Sequence, residues 1–188
     1  MIFFLDPPSN QFPFTLYPNK EFVIKPKTMV TTIPVLPTLY EISFDFKPTK
    51  WLKGWTSVLH MTINGNAGWG DRVPAVFMRN SRIVIYNAID GNRLWHFWGP
   101  RLSLNKWVNI KFTQTLERHE YVSRIYIDNR LIKTKLNRKP QDFKIVDIWT
   151  SDKWYSSQPG FIRKLIMFGE LFILIPRASA LLLWYTGI

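Results

Sequence analysis

The sequence has no cysteine, and its glycines do not form a phosphate-binding motif. The absence of cysteine excludes a disulfide framework, a thiol nucleophile and a thiolate metal site. The longest glycine-rich loop, 64–72, holds Gly65, Gly68 and Gly70, but no predicted helix follows whose N-terminus could bind a phosphate. A nucleotide-binding loop is therefore not expected.

Long hydrophobic runs are also missing. A membrane-spanning helix needs about 20 apolar residues, and the apolar end of the chain, 169–188, is interrupted by Pro176 and Arg177. Residues 1–5 are too few for the core of a signal peptide and lack a basic segment. We expect neither a spanning helix nor a signal peptide in the sequence as given.

Acidic residues are scarce relative to basic ones. The chain has 25 Lys and Arg against 13 Asp and Glu, a formal charge of +12. Such a surplus attracts polyanions, including nucleic acids, acidic polysaccharides and anionic membranes. A solvated basic surface without a ligand accounts for the same numbers.

The clearest pattern lies in residues 40–47, where apolar and polar residues alternate without interruption. In a strand, this alternation places Tyr40, Ile42, Phe44 and Phe46 on one face and the polar residues on the other. We predict that this segment is the central strand of a sheet with one face in the core.

Similar strand-like runs recur along the chain at near-regular spacing, and no amphipathic helix is apparent. This arrangement predicts an all-β fold in which antiparallel sheets pack as a sandwich. The predicted division is an irregular proline-rich arm at 1–19, a sandwich domain at 20–168 and an apolar tail at 169–188.

Several phrases along residues 20–168 resemble the laminin G-like, concanavalin A-like jelly rolls, especially divergent modules from extracellular proteins of simple invertebrates. The phrases are 39–46, 104–107, 125–130, 151–155 and 159–165. The resemblance implies a two-sheet antiparallel jelly-roll sandwich over residues 20–168, with one flat and one curved sheet. It also implies a non-catalytic extracellular domain that binds glycans or protein partners through rim loops or its curved face, sometimes with Ca²⁺. Lys153 departs from this pattern, because such modules often have proline there, and the tail after Gly169 has no counterpart.

Two loops contain the residue types that bind sugars. Aromatic rings stack on the apolar faces of sugars, while Asp and Arg side chains hydrogen-bond to hydroxyls. We predict a site for a glycan or glycoprotein made of Trp69, Asp71, Arg72, Asp152, Trp154 and Tyr155. The alternative is that Trp69 and Trp154 fold back and close the ends of the sandwich.

The densest basic cluster lies on and around a predicted strand at 131–136 and includes Lys144. Its predicted polyanion-binding members are Arg130, Lys133, Lys135, Arg138 and Lys139. A sulfated polysaccharide could bind them, which suggests a structural or matrix-attachment domain as one alternative function. Nucleic acid is disfavoured because the interleaved residues are mostly aliphatic rather than stacking aromatics. An ordinary solvated hairpin remains the simpler interpretation.

A glycoside hydrolase of the same fold is the enzymatic alternative. Such enzymes need two carboxyl groups about 5–9.5 Å apart. Glu41 and Asp45 share a strand face but would lie about 13 Å apart, and Ser43 stands between them. We therefore expect no enzymatic activity.

Metal and cofactor signals are weak. Loop carboxylates Asp71, Asp90 and Asp152 could contribute oxygen ligands to Ca²⁺ if the fold brought them together. No other cofactor is expected. His60 lies on a polar strand face, which favours a hydrogen-bonded surface group.

A cluster of aromatics in the 93–98 strand is predicted to fill the core. Its members are Trp95, Phe97 and Trp98.

Overall fold

A computed structural model describes residues 14–15 and 21–170 of the chain. Most of the predicted arm 1–19 lies outside the described residues, apart from a short strand at Phe14–Thr15, and the tail 169–188 lies outside them from residue 171 onward. The described ranges contain no helix with the length and hydrophobicity needed to span a membrane.

The described residues form fourteen strands. They are β1 Phe14–Thr15, β2 Phe22–Val23, β3 Met29–Leu36, β4 Leu39–Pro48, β5 Trp55–Thr62, β6 Ala75–Arg79, β7 Arg82–Ile89, β8 Asn92–Arg101, β9 Val108–Glu117, β10 Glu120–Ile127, β11 Arg130–Leu136, β12 Phe143–Trp149, β13 Ser156–Ser157 and β14 Gly160–Glu170.

The strands form two seven-stranded sheets packed against each other. The first has the order β1-β14-β4-β9-β10-β11, with β2 also paired to β14. The second has the order β3-β12-β5-β6-β7-β8. The pairings are antiparallel except for β13, which runs parallel to β5. The predicted all-β, two-sheet antiparallel jelly-roll sandwich is confirmed.

The strand β4 lies inside the first sheet, between β14 and β9. The predicted apolar face is buried at Tyr40, Ile42, Phe44 and Phe46. The prediction that residues 40–47 form a central strand with one face in the core is therefore confirmed. The alternation of apolar and polar residues corresponds to the buried and outer faces of that strand.

The second sheet provides the other half of the core. Its inner face carries buried aliphatic and sulfur-containing side chains: Leu59, Met61, Val76, Met78, Ile83 and Ile85. The opposite face of β5, β6, β7 and β8 is here called the outer face. The loops predicted to bind a ligand cover part of it, at His60, Phe77 and Tyr86.

The strand β11 forms one edge of the first sheet and pairs only with β10 in that sheet. The register places Lys133 opposite Ile125 and Lys135 opposite Ser123. Ile125 and Ser123 are buried, so the two lysines lie on the inward side of this edge strand.

Candidate functional site

The two loops predicted to bind a ligand, 64–72 and 151–155, meet around His60. His60 Nδ1 lies 2.7 Å from Asp152 Oδ2, and Nε2 lies 2.5 Å from the backbone carbonyl oxygen of Asp71. Both partners are acceptors, so both contacts are satisfied when the two ring nitrogens each carry a proton. One side chain thus connects both loops to β5.

His60 is fully buried, at 0% exposure. The prediction that it is a surface group is wrong. Its ring packs against Phe77 at 5.8 Å and Trp154 at 5.3 Å between ring centroids. The alternation of apolar and polar residues predicts that this sheet face is exposed to water, but these aromatic side chains cover it.

Asp152 is 1% exposed and accepts hydrogen bonds from three groups. Besides His60, the backbone N–H groups of Trp154 and Tyr155 donate to Oδ1, at 2.9 and 2.8 Å. Burial acts to raise the pKa of Asp152, but His60 and these N–H groups outweigh it and hold the pKa below its usual value. The carboxylate therefore fixes the 151–155 loop in its ionised form.

This lowered pKa predicts a loss of stability in acid. The unfolded-state pKa of an aspartate is about 3.9. When the folded-state pKa is lower, the carboxylate stabilises the fold above the unfolded-state pKa, and this stabilisation is lost as the pH falls through the folded-state pKa. We expect the unmodified protein to lose more unfolding free energy between about pH 5 and pH 2 than Asp152→Asn, which cannot titrate there. Urea unfolding at several pH values would measure this, and parallel curves would contradict it.

The carboxylate of Asp71 is used by its own loop. The backbone N–H groups of Gly65 and Gly68 donate to it at 2.8 and 2.5 Å, and the Thr62 hydroxyl donates at 3.4 Å. A Cβ atom at Gly65 or Gly68 would lie 2.9 or 2.8 Å from Asp71 Oδ2, so glycine permits this close approach. Asp71 therefore holds the loop closed and is 7% exposed.

Arg72 joins the two loops directly. Its Nε donates to the Asn66 carbonyl oxygen at 2.8 Å, and Nη2 donates to Asn66 Oδ1 at 3.1 Å and to the Tyr155 hydroxyl at 3.3 Å. The guanidinium also lies over the Tyr86 ring, 4.3 Å from its centroid. These contacts leave Arg72 only 6% exposed and make it a structural cross-link.

The two loop tryptophans differ in their surroundings. Trp69 is half-buried against the core and packs on Phe143 at 6.1 Å between centroids, as the alternative hypothesis expects. Trp154 packs on His60 yet remains 37% exposed. Of the two, Trp154 offers more surface to a ligand.

Further aromatic side chains extend this exposed area across the outer face of the second sheet. Phe77 is buried among Trp55, Tyr86 and Tyr155, with ring centroids 6.2, 5.8 and 4.9 Å away. Trp55 in turn contacts Trp98 at 5.6 Å. We define the aromatic surface as the partly or largely exposed rings of Trp55, Tyr86, Trp98, Trp154 and Tyr155. The buried Phe77 ring packs behind three of them.

Trp98 corrects another prediction. Trp95 and Phe97 pack against the core as expected, but Trp98 is 38% exposed. The register pairs Tyr86 with His96 and Val84 with Trp98, which places Trp98 on the outer face. The alternation of the strand already contained this signal, because residues 96 and 98 share a face opposite to 95 and 97.

The carboxylates suggested for Ca²⁺ have other partners. The Asp71 carboxylate accepts hydrogen bonds from the Gly65 and Gly68 N–H groups, and the Asp152 carboxylate contacts His60. Asp90 bonds to Lys135 at 3.5 Å and Arg138 at 3.3 Å. The backbone N–H of Arg138 contributes most to lowering the pKa of Asp90. Across residues 21–170, no three His, Cys, Asp or Glu side chains form a group that could hold a metal. The Ca²⁺ site stays a prediction without support from these contacts.

The predicted basic cluster is divided by the fold. Lys135 and Arg138 form ion pairs with Asp90, and Lys139 packs across Gly91 at the same end of the molecule. Lys133 is exposed on β11. Arg130 instead lines a cleft of about 380 Å³ at the other end of the hairpin. The five cations therefore do not form one continuous patch.

Glu41 and Asp45, the pair considered for hydrolysis, are both in ion pairs. Glu41 lies 3.8 Å from Lys111 Nζ. Asp45 lies 3.0 Å from Arg163 Nε and 3.6 Å from Lys164 Nζ. Both carboxylates are therefore engaged in ion pairs with lysine and arginine side chains of the first sheet.

Comparison with known proteins identifies the fold. No protein-family model and no curated protein sequence matches the chain. The structure of the botulinum neurotoxin type G receptor binding domain is similar, with a TM-score of 0.53 and 18% identity, over 87% of this chain and 43% of that one. The fold is a two-sheet antiparallel jelly-roll sandwich.

A second structure, of the botulinum neurotoxin serotype G binding domain, gives a TM-score of 0.50 and 14% identity, over 85% of this chain and 44% of that one. The chain thus spans less than half the length of either solved structure. At this identity the similarity establishes the architecture of the jelly roll, and the function must be argued from the surface of this chain.

Proposed function

We propose that this jelly roll is a non-enzymatic recognition domain that binds a glycan, free or on a glycoprotein, on the aromatic surface. The observation that carries the proposal is the exposed ring of Trp154, held beside Tyr155 where the two loops join. Flat rings exposed beside hydrogen-bonding groups suit the apolar faces and hydroxyls of sugars.

The surrounding contacts support this assignment because they fix the loops before a ligand arrives. Asp152 anchors the backbone of Trp154 and Tyr155, and Arg72 bonds to the Tyr155 hydroxyl. A surface that is already ordered loses less conformational entropy on binding. The role of Asp71, Arg72 and Asp152 is therefore to position the aromatic residues rather than to contact the sugar.

The absence of catalysis is part of the same proposal. It is supported by the ion pairs that engage Glu41 and Asp45. We also propose an extracellular setting and kinship with the laminin G-like modules, on the basis of the sequence phrases described above.

The test is a glycan-array screen of the full chain, followed by calorimetry with the best ligand. We expect Trp154→Ala to weaken binding about tenfold, because the sugar loses a stacking partner. Phe168→Ala is the matched control, since Phe168 is 45% exposed on β14 in the other sheet, and it should bind normally.

A result in which Trp154→Ala and Phe168→Ala both bind as tightly as the unmodified protein would remove this surface from consideration. The array should include neutral and acidic glycans, with and without Ca²⁺. Dependence on Ca²⁺ would support the metal prediction for the loop carboxylates.

A further inference from the structure

Three arginines lie side by side across the second sheet, at the end of the aromatic surface nearest Trp55 and Trp98. The register pairs Arg79 with Arg82 on β6 and β7, and Arg82 with Arg101 on β7 and β8. We call these residues the arginine row. Like charges directly opposite each other in antiparallel strands are destabilising, so this arrangement opposes folding.

The charges of the arginine row are positioned but not neutralised. Arg82 Nε donates to the Gly99 carbonyl oxygen at 2.9 Å, and Arg101 Nη1 donates to the Ser81 hydroxyl at 2.8 Å. The Arg79 guanidinium lies over a ring of the aromatic surface, 5.2 Å from the Trp55 centroid. Across residues 21–170, none of the three forms an ion pair with a carboxylate.

A cleft of about 380 Å³ adjoins Arg101 and adds to this positive charge. Lys106 and Arg130 also line it, and all three cations are exposed. Asp128 is the carboxylate in the lining, and its Oδ1 accepts the backbone N–H of Asn109 at 2.9 Å. The lining therefore has three cations and one carboxylate that already has a hydrogen bond.

We propose that the arginine row and the adjoining cleft bind a sulfate or carboxylate group carried by an acidic saccharide. The guanidinium group offers paired N–H donors that match the oxygens of such anions, and charge-assisted bonds of this kind are strong. A bound anion would also relieve the repulsion between neighbouring arginines. The saccharide part of this inference rests on the proposed function, and the acidic group identifies which glycans the aromatic surface accepts.

The length of the row favours an acidic saccharide over a nucleic acid. Strands in a sheet lie about 4.8 Å apart, so three adjacent strands span about 10 Å. That distance suits one or two acidic groups, whereas single-stranded nucleic acids are bound along a longer basic track of about four or more nucleotides. The nearby Arg79 contact with Trp55 and Trp98 places the cations beside rings that can stack on a sugar.

The test compares two double variants of the full chain with the same loss of charge. Arg82→Gln/Arg101→Gln removes two members of the row, and Arg93→Gln/Arg118→Gln removes two exposed arginines elsewhere. The probes are a heparin hexasaccharide, an oligogalacturonate that has carboxylates only, a neutral cello-oligosaccharide and oligothymidylate. Titration calorimetry at two salt concentrations gives the affinities.

We expect the row variant to bind at least one acidic saccharide about tenfold or more weakly, and the control variant to bind it within about twofold. The preferred probe tells sulfate from carboxylate. The thermal midpoint of the row variant should change little, since the relieved like-charge repulsion offsets the lost hydrogen bonds to Gly99 and Ser81. Lys106→Gln provides a second variant that leaves the Arg82 contact with Gly99 intact, and it should weaken binding in the same direction.

Equal losses in both double variants would overturn the proposal, because they would show non-specific attraction. If oligothymidylate binds as tightly as the acidic saccharides and depends equally on the arginine row, the proposal is overturned in favour of a nucleic-acid ligand. If the protein binds the neutral oligosaccharide through Trp154 and does not prefer the acidic saccharides, this inference is wrong and the proposed function stands. If the acidic saccharides bind through the arginine row and Trp154 is not needed, the anion site is retained and the glycan site at the loops is rejected.

Discussion

Replacing Asp152 with alanine is expected to lower the free energy of unfolding by about 3–5 kcal/mol, since three donors lose their acceptor. The change leaves His60 buried without its carboxylate partner, and the backbone N–H groups of Trp154 and Tyr155 lose their acceptor. Removing the acceptor is costly because it leaves several donors without a hydrogen-bond partner in the interior, and each such group costs about 1–3 kcal/mol. Urea unfolding at neutral pH measures the change.

The matched control for this experiment is Asp147→Ala. Asp147 accepts a hydrogen bond from the Thr32 hydroxyl at an exposed position on the same sheet, so its loss should cost about 1 kcal/mol or less. A similar small loss for Asp152→Ala would show that the contact with His60 does not hold the loops. A double-mutant cycle with His60→Ala would then measure the coupling between the two side chains directly.

Phe44→Ala is expected to cost about 3–5 kcal/mol of unfolding free energy. Phe44 is at 0% exposure on β4, where strands on both sides prevent the sheet from closing over the cavity. The lost burial and the remaining void both contribute to this cost. Chemical denaturation of the variant measures it.

Leu116→Ala tests whether burial, rather than strand position, determines that cost. Leu116 is 43% exposed on β9, so truncation there should change stability by about 0.5 kcal/mol or less. Equal effects at the two positions would contradict the placement of residues 40–46 at the centre of the core.

The sequence was sufficient to predict the sandwich because the strands in its core alternate. At β4, every second residue meets the other sheet, so the pattern of Tyr40, Ile42, Phe44 and Phe46 records the architecture directly. The same rule failed at His60. It assumes that one side of a sheet faces water, whereas here Trp154 and Phe77 bury the outer side as well.

The residue types in the two loops suggest a shared site, but they do not determine that the loops meet. Asp71 and Asp152 are separated by 81 positions in the sequence, and their shared contact is His60, a residue assigned to the surface. Strand order decides which loops become neighbours, and alternation contains no information about strand order. The arginine row could not be predicted from the sequence for the same reason. Arg79, Arg82 and Arg101 become neighbours only through the register of the paired strands.

The position of β11 gives its lysines a further consequence. An exposed edge strand offers unpaired N–H and C=O groups to any other chain, and proteins commonly block such additions with charged residues that point inward. Lys133 and Lys135 have this arrangement, opposite Ile125 and Ser123. A second molecule that extended the sheet at β11 would have to lie beside the exposed Lys133 and beside Lys135, which is paired with Asp90. These charges therefore oppose edge-to-edge aggregation whether or not the hairpin binds a polyanion.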